Sequence, residues 1–342
     1  MPGYAGPVSL VIDRVTKRFG TLTALDQLSF SVAQGEIFGF LGANGAGKTT
    51  TMRIVLGILN PDAGEVTWRG ERSADLDRAT WGYLPEERGL YPRMTVLDQL
   101  AYFGSLYGVP EAVARREALG WLARFRVPEY ANRKAEELSK GNQQKIQFIA
   151  AILHDPQVLL LDEPFTGLDP VNVALLREAV VELRSRGKTI IFSTHQMEMV
   201  EAMCEAVAIV DRGRVVVGGP IRQVKRASGR PMVRLSVDGD AELAWVRSIP
   251  GVRITRSGFD FSELELDPGV EPDAVLAAAV ARDVRVTRFE VAEPSLEQIF
   301  VDHVGRPVDE DLHLAPVPPG GPGDGDLDAE RSTPADVRRA GA

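Results

Sequence analysis

The sequence predicts an α/β fold: a parallel sheet with helices on its faces, an antiparallel β subdomain before it, a helical subdomain set into it and a small α+β unit after it. Three observations carry that expectation. Strongly apolar runs of strand length, at 36–41, 158–161, 189–193 and 207–210, are interleaved with helical patterns. A glycine-rich loop joins the first of these runs to a helical segment. Around Lys225 to Pro231 the pattern resets after a basic, glycine-containing linker, and a second series of short strands and helices begins.

The elements follow in order. Residues 8–34 alternate apolar and polar positions, as in Leu28-Ser29-Phe30-Ser31-Val32, which predicts short antiparallel strands. The run 36–41 is a buried strand, and helical spacing over 48–59 stops before Asn60-Pro61. Residues 92–137 are dominated by helical patterns such as Val96-Leu97 with Leu100-Ala101, and give a helical subdomain at about 92–140. Then β and α alternate: strand 158–161, helix 171–186, strand 189–193, helix 197–205, strand 207–210, the order of a parallel sheet. Past the linker come strand 232–237, helix 240–248, strands 252–256 and 260–266, helix 271–282, strand 284–291 and a closing helix from Ser295, a β-α-β-β-α-β plan of ferredoxin-like type. Ser295 with Gln298 three residues on forms a capping-box start. The expected organisation is therefore a first unit at 8–225, an accessory unit at 230–304 and a tail at 305–342. The tail holds eight acidic residues against four arginines, six prolines, six glycines and no aromatic residue, a composition that predicts disorder.

Bulk properties narrow the function. Hydrophobic residues at 44% and charged residues at 25% fit a water-soluble globular chain. The longest apolar runs fall far short of the roughly 18 residues a spanning helix needs. Met1-Pro2-Gly3-Tyr4 offers neither a basic start nor an apolar core, so no secretory signal is expected. The single cysteine, Cys204, reads as a core residue in a reducing cytoplasm. A net charge of −9 argues against nucleic acid as the main ligand.

Two motifs carry chemistry. Gly42-Ala43-Asn44-Gly45-Ala46-Gly47-Lys48-Thr49 fits the P-loop pattern G-x-x-x-x-G-K-[ST] between a strand and a helix. Its glycines let backbone N–H groups converge on phosphates, Lys48 reaches the β and γ oxygens, and Thr49 ligates Mg²⁺. Val158-Leu159-Leu160-Leu161-Asp162-Glu163 is an apolar strand ending in two carboxylates, a Walker B element. Its strand is expected beside the P-loop strand, so that Asp162 holds Mg²⁺ through water and Glu163 polarises the attacking water.

What lies around these motifs sets the class. Leu138-Ser139-Lys140-Gly141-Asn142-Gln143-Gln144-Lys145, at a helix start, resembles the signature motif of ATP-binding cassette (ABC) ATPases, a branch of the P-loop NTPases. Thr166-Gly167-Leu168-Asp169-Pro170 resembles their D-loop, and Thr194-His195 their switch histidine. The resemblance covers about residues 8–225, with four motifs in the family's order. Singly, Ser139 reads as a helix cap, His195 as a strand-end histidine and Phe19 as a core aromatic; together and in order they read as one ATP site.

The resemblance implies a role for each residue. Phe19 is similar to the aromatic that stacks on adenine, and Gly42, Asn44, Gly45, Gly47, Lys48, Thr49 and Thr50 to the phosphate-binding set. Ser139 and Gly141 resemble groups that bind the γ-phosphate of ATP held by a second subunit, Asp169 would couple the two sites, and His195 would contact the γ-phosphate. Two motifs depart from the family's pattern. In the signature, Lys140 and Asn142 replace the usual glycine and glutamine. In the loop Gly82-Tyr83-Leu84-Pro85-Glu86-Glu87, Glu86 replaces the usual glutamine, and a carboxylate cannot donate as an amide does.

The segments Pro85-Glu86-Glu87-Arg88-Gly89-Leu90-Tyr91 and Glu293-Pro294-Ser295-Leu296-Glu297-Gln298-Ile299-Phe300 further resemble ATPase subunits of the ABC-2 exporter group, of sodium-export and multidrug type. That implies an ATP- and Mg²⁺-dependent ATPase, paired with itself or a second ATPase subunit, held at the inner face of the cell membrane by a separate integral membrane permease, with no nucleic acid expected. The alternative is a soluble ABC-type ATPase acting on a nucleic-acid or ribosomal partner. Such relatives usually carry two cassettes or a long coiled-coil insertion, whereas here one cassette has only 91 positions from Lys48 to Ser139. No Asn-Lys-x-Asp guanine motif occurs, which disfavours a GTPase.

Overall fold

The computed structural model describes residues 7–305 except residues 88, 229, 230, 239–242, 259 and 268. Apart from Gly305, the tail expected at 305–342 lies outside the described residues. The alternating N-terminal segment forms two long strands, β1 (Val8–Phe19) and β2 (Leu22–Ala33), joined by a tight turn. β3 (Ile37–Leu41) runs into the glycine-rich loop and α1 (Lys48–Val55) follows, ending short of the expected residue 59. β4 (Ala63–Trp68) and β5 (Glu71–Arg72), which the sequence did not announce, return to complete the antiparallel sheet in the order β2-β1-β4-β5.

β6 (Trp81–Leu84) takes up Gly82 to Leu84, so part of the segment expected as a loop is strand. The helical subdomain is α2 (Val96–Leu106) and α3 (Glu111–Arg124), followed by two 3-10 turns and α4 (Lys140–Ile152). Then come β7 (Val158–Asp162), α5 (Pro170–Ser185), β8 (Thr189–Thr194), α6 (Met197–Met203), β9 (Ala206–Asp211), β10 (Arg214–Pro220) and α7 (Ile221–Ala227). The central sheet has the order β10-β9-β3-β8-β7-β6, parallel except for the edge strand β10. Among the described residues no helix is long and apolar enough to cross a membrane.

This order corrects one expectation. β7 does not lie beside the P-loop strand, because β8 pairs with both and separates them. Asp162 still reaches the P-loop because α1 leans across the sheet and packs on β7.

The period-two alternation of the buried strands divides the core. Ile37 and Leu41 of β3 and Leu159 and Leu161 of β7 face helices α2 to α6, while Phe38, Phe40, Val158 and Leu160 face α1 and the antiparallel sheet. Both faces are covered, as a parallel sheet requires. Gly39 lets α6 press on β3: a Cβ there would stand 2.5 Å from a methyl of Val200 and 3.2 Å from Cys204 Sγ.

The C-terminal strands β11 (Met232–Val237), β12 (Val252–Ser257), β13 (Ser262–Leu266) and β14 (Val286–Ala292) form an antiparallel sheet in the order β12-β13-β11-β14, the ferredoxin-like arrangement. α8 (Asp273–Val280) covers it through Val275. Where the sequence predicted a helix at 240–248, only a 3-10 turn at Ala244–Ser248 forms, and residues 239–242 lie outside the described residues. The last helix, α9 (Leu296–Val304), differs in placement. Instead of closing the small sheet, it buries Leu296, Ile299 and Phe300 in the core of the first unit, beside Met197, Val200, Ile221 and Val224.

Candidate functional site

The C-terminal ends of β3, β7 and β8 meet at one edge of the central sheet, the usual place for ligands in an open α/β sheet. The loop after β3 turns back through Gly45 (φ 79°) and Gly47 (φ 107°), so that backbone N–H groups and the first turn of α1 face one point. Only glycine fits at Gly47: a Cβ would stand 2.5 Å from Leu25 Cδ2 and 2.9 Å from the carbonyl of Ala24. Asn44 is exposed and Thr50 half-buried at the rim of this loop. Lys48 is buried, and its ammonium donates to the carbonyls of Gly42 (2.8 Å) and Ala43 (3.3 Å).

Two carboxylates end β7. Asp162, fully buried, accepts from Thr49 Oγ1 at 2.7 Å and from the hydroxyl of Ser193 at the end of β8. Glu163 is 5% exposed and sits in the left-handed region at φ 47°, a strained turn that aims its carboxylate back across the loop. One oxygen accepts from Thr166 (3.2 Å) and Thr194 (3.1 Å); the other lies 3.0 Å from His195 Nδ1 and 3.4 Å from Lys48 Nζ. Lys48, Thr49, Asp162, Glu163 and His195 therefore converge. Glu86 is close enough for Asp162 and Glu163 to add to the effect of burial, and all three push its carboxyl above its ordinary range. Tyr83, on β6 below it, is pushed up to about 12 by burial and by the charge of Asp162.

The remaining predicted residues gather elsewhere. Ser139 caps α4 by accepting from Asn142 N at 3.4 Å, so the helix-cap reading holds for its local role. Gly141 lies against Leu168 and Asn172, and Asp169 caps α5 through Asn172 N at 2.9 Å. The signature segment thus packs on the D-loop, and Gln144 Nε2 donates to the carbonyl of Pro164 to hold the two together. Ser139 and Asp169 are exposed. Phe19 is 46% exposed at the tip of the β1–β2 hairpin, with Lys17 Nζ 5.6 Å from its ring centroid, while Leu25 further along β2 flanks Gly47.

Sequence reasoning missed three hydroxyls that fix the carboxylates: Ser193, Thr194 and Thr166. The signal was available, since Ser193 and Thr194 directly precede His195 and Thr166 lies one turn after Glu163. What was not readable is that β8 lies next to β7 and brings them within reach.

Comparison with known proteins decides the class. The family described as "ABC transporter" matches residues 25–166, and "ATP-binding protein DrrA1-3-like, C-terminal domain" matches residues 219–304. An uncharacterized ABC transporter ATP-binding protein of Bacillus subtilis is 44% identical over 304 residues, 86% of this chain and 98% of that protein. The chain belongs to the ABC transporter ATP-binding proteins. As such it is an ATP-binding subunit of a transporter, and an ATPase. A Nod factor export ATP-binding protein of Ralstonia nicotianae is 33% identical over 309 residues, covering 89% of this ABC ATPase and 96% of the relative. Among solved structures, an ATP binding subunit of an ABC transporter superposes with TM-score 0.61 at 31% identity, over 65% of this chain and 93% of that one. A dimeric ATP-binding cassette bound to ADP and Pi gives TM-score 0.58 at 25% identity, over 62% of this chain and 99% of that one.

Proposed function

We propose that this ABC ATPase is the hydrolytic subunit of an exporter, working as a dimer that sandwiches two MgATP molecules and drives a separate integral membrane subunit. The observation that carries the reading is the junction of Lys48, Thr49, Asp162, Glu163 and His195 within hydrogen-bonding reach at the P-loop. Export is supported by the relative whose name states it. Dimeric action is supported by the dimeric cassette and by the exposure of Ser139 and Asp169, which leaves them open to a second copy. The corresponding location is the inner face of the cell membrane. Units at 8–225 and 230–304 remain the proposed division, with α9 reaching back across it.

The residues fit Mg²⁺. Thr49 Oγ1 and Asp162 Oδ2 are two hard oxygen donors 2.7 Å apart, enough for an ion that takes few protein ligands and completes its shell with phosphate and water. Bound there, Mg²⁺ supplies positive charge for the phosphate oxygens. The P-loop N–H groups and Lys48 bind and orient the β- and γ-phosphates, and Phe19 stacks on the base. Glu163, held by Thr166 and Thr194, positions a water and takes its proton as the oxygen attacks the γ-phosphorus and ADP leaves. His195 Nδ1 fixes the other oxygen of Glu163 and leaves Nε2 free to meet the γ-phosphate. Ser139 and the first turn of α4 bind the γ-phosphate of the opposite subunit.

The test is purification of the tagged full chain from detergent-solubilised membranes, with ATPase assays on the product. A copurifying multi-span membrane protein and Mg²⁺-dependent hydrolysis are expected; recovery with ribosomes or nucleic acid would overturn the transporter reading.

A further inference from the structure

α6 is the element on which His195 depends. His195 stands two residues before its first residue, Met197, with Gln196 between as the cap position, and α6 has only seven residues. A helix this short has no stability of its own and stays where tertiary contacts hold it. One side presses on β3 at Gly39, through Val200 and Cys204. The C-terminal helix also packs against α6. Leu296, Ile299 and Phe300 of α9 are each no more than 1% exposed and pack in one cluster with Met197, Val200 and Met203 of α6.

A polar fastening runs beside this apolar contact. Glu201 of α6 accepts the backbone N–H of Leu296, the first residue of α9, on one oxygen. Its other oxygen pairs with Lys225 of α7 at 2.6 Å. The carboxylate at the start of α9 also meets the positive end of that helix, whose cap is completed by Ser295 accepting from Gln298 N at 3.2 Å. One side chain thus ties α6 to two segments that follow the central sheet in sequence.

We infer that Glu201 is a positioning residue for ATP hydrolysis, pinning α6 to α9 and α7 so that His195 Nδ1 stays against the Glu163 carboxylate. Glu201 touches neither the nucleotide nor the reacting atoms. It acts through the backbone that joins Thr194, which bonds one oxygen of Glu163, to His195, which meets the other. The C-terminal helix is, in this account, the rear support of the catalytic constellation and not an appendage of the small sheet. The inference rests on the roles proposed above for Glu163 and His195.

The experiment compares MgATP hydrolysis and binding by the full-length wild type, Glu201→Ala, Glu201→Gln, His195→Ala and the Glu201→Ala/His195→Ala double variant. Glu201→Ala is expected to lower kcat by about 10- to 100-fold, as displacement of reacting groups by about 1 Å does, with KM and calorimetric Kd for MgATP unchanged within about twofold. Glu201→Gln keeps an oxygen for the Leu296 N–H and should recover most of the turnover. In the His195→Ala background, measured by single turnover, removing Glu201 should lower the rate no further, the signature of two residues acting through one path. Equal losses in both backgrounds would make Glu201 merely structural and overturn the inference, as would full kcat in Glu201→Ala. If Glu201→Ala does not fold, Glu201→Asp keeps the charge but draws the carboxylate back from the Leu296 N–H, and unchanged kcat there overturns it. A wild type that fails to hydrolyse MgATP overturns the functional reading itself, which separates the two failures.

Discussion

Replacing Glu163 by glutamine gives two opposite effects whose sizes follow from the geometry. The carboxylate stands 3.4 Å from Lys48 Nζ, with both side chains less than a tenth exposed. At an effective dielectric constant of about 20, that contact is an attraction of about 5 kcal/mol before desolvation is subtracted. Net, a hydrogen bond to a charged group contributes about 1.5 to 3 kcal/mol. Phosphates that enter the P-loop compete with Glu163 for the same ammonium and are repelled by its charge. In the variant, the amide oxygen can accept from Thr166 and Thr194, and the NH₂ can donate to His195 Nδ1 once the ring carries its proton on Nε2 instead, so the side chain keeps its place. The NH₂ group no longer attracts Lys48, which turns to the nucleotide. MgATP should therefore bind about 10- to 100-fold more tightly, the equivalent of about 1.5 to 3 kcal/mol. Turnover should fall by at least about 10²-fold, because the basic oxygen is gone. Calorimetric Kd and single-turnover hydrolysis read the two effects separately, and size exclusion with saturating MgATP should show an ATP-dependent dimer. Unchanged affinity would refute the competition for Lys48, retained turnover would remove Glu163 as the base, and a strictly monomeric variant would refute the shared site.

Lys48→Ala should abolish most MgATP affinity in calorimetry, since phosphate loses a charged partner worth about 1.5 to 3 kcal/mol; undiminished binding would mean the loop is not the phosphate site. In a crosslinked mixed dimer, Ser139→Arg in one subunit should silence the site whose P-loop belongs to the other, and full activity at that site would exclude action in trans. Glu36 provides a pH test. Burial pushes its carboxyl up to about 7 from 4.5, with Glu205 adding to the shift and the N–H of Ala33, donating at 2.5 Å, opposing it. An acid whose pKa is higher in the folded state binds more protons there, so its contribution to stability is present below the ordinary value and is lost as pH rises through about 7. Glu36→Gln should therefore melt like the wild type near about pH 4.5 and at a higher temperature than the wild type above about pH 7, by differential scanning calorimetry; a difference independent of pH would dismiss the titration.

The glycine loop between β3 and α1, the carboxylates that end β7, and the helix starts at Ser139 and Asp169 were legible in the sequence because each is a short contiguous pattern that depends on its own backbone. Glycines at 45 and 47 announce positive φ, and an apolar run ending in Asp162-Glu163 announces a buried strand that delivers charge at its end. The ferredoxin-like strand order also followed from spacing, since hairpins and crossovers of that length leave few arrangements. Local pattern could not say which strand separates β3 from β7. Sequence reasoning placed the two side by side, whereas β8 intervenes and thereby brings Ser193, Thr194 and His195 to the carboxylates. Nor could it say which core takes α9. Leu296, Ile299 and Phe300 would fill any apolar groove of the right width, and their spacing is the same whether they cover the small sheet or the helix behind His195. Hydrophobic attraction is non-directional, so the amphipathic face was fixed by the residues themselves, while its destination was fixed by the shape and hydrogen bonds of what it met: the apolar face of α6 around Met197, Val200 and Met203, and the Glu201 carboxylate that accepts its first N–H.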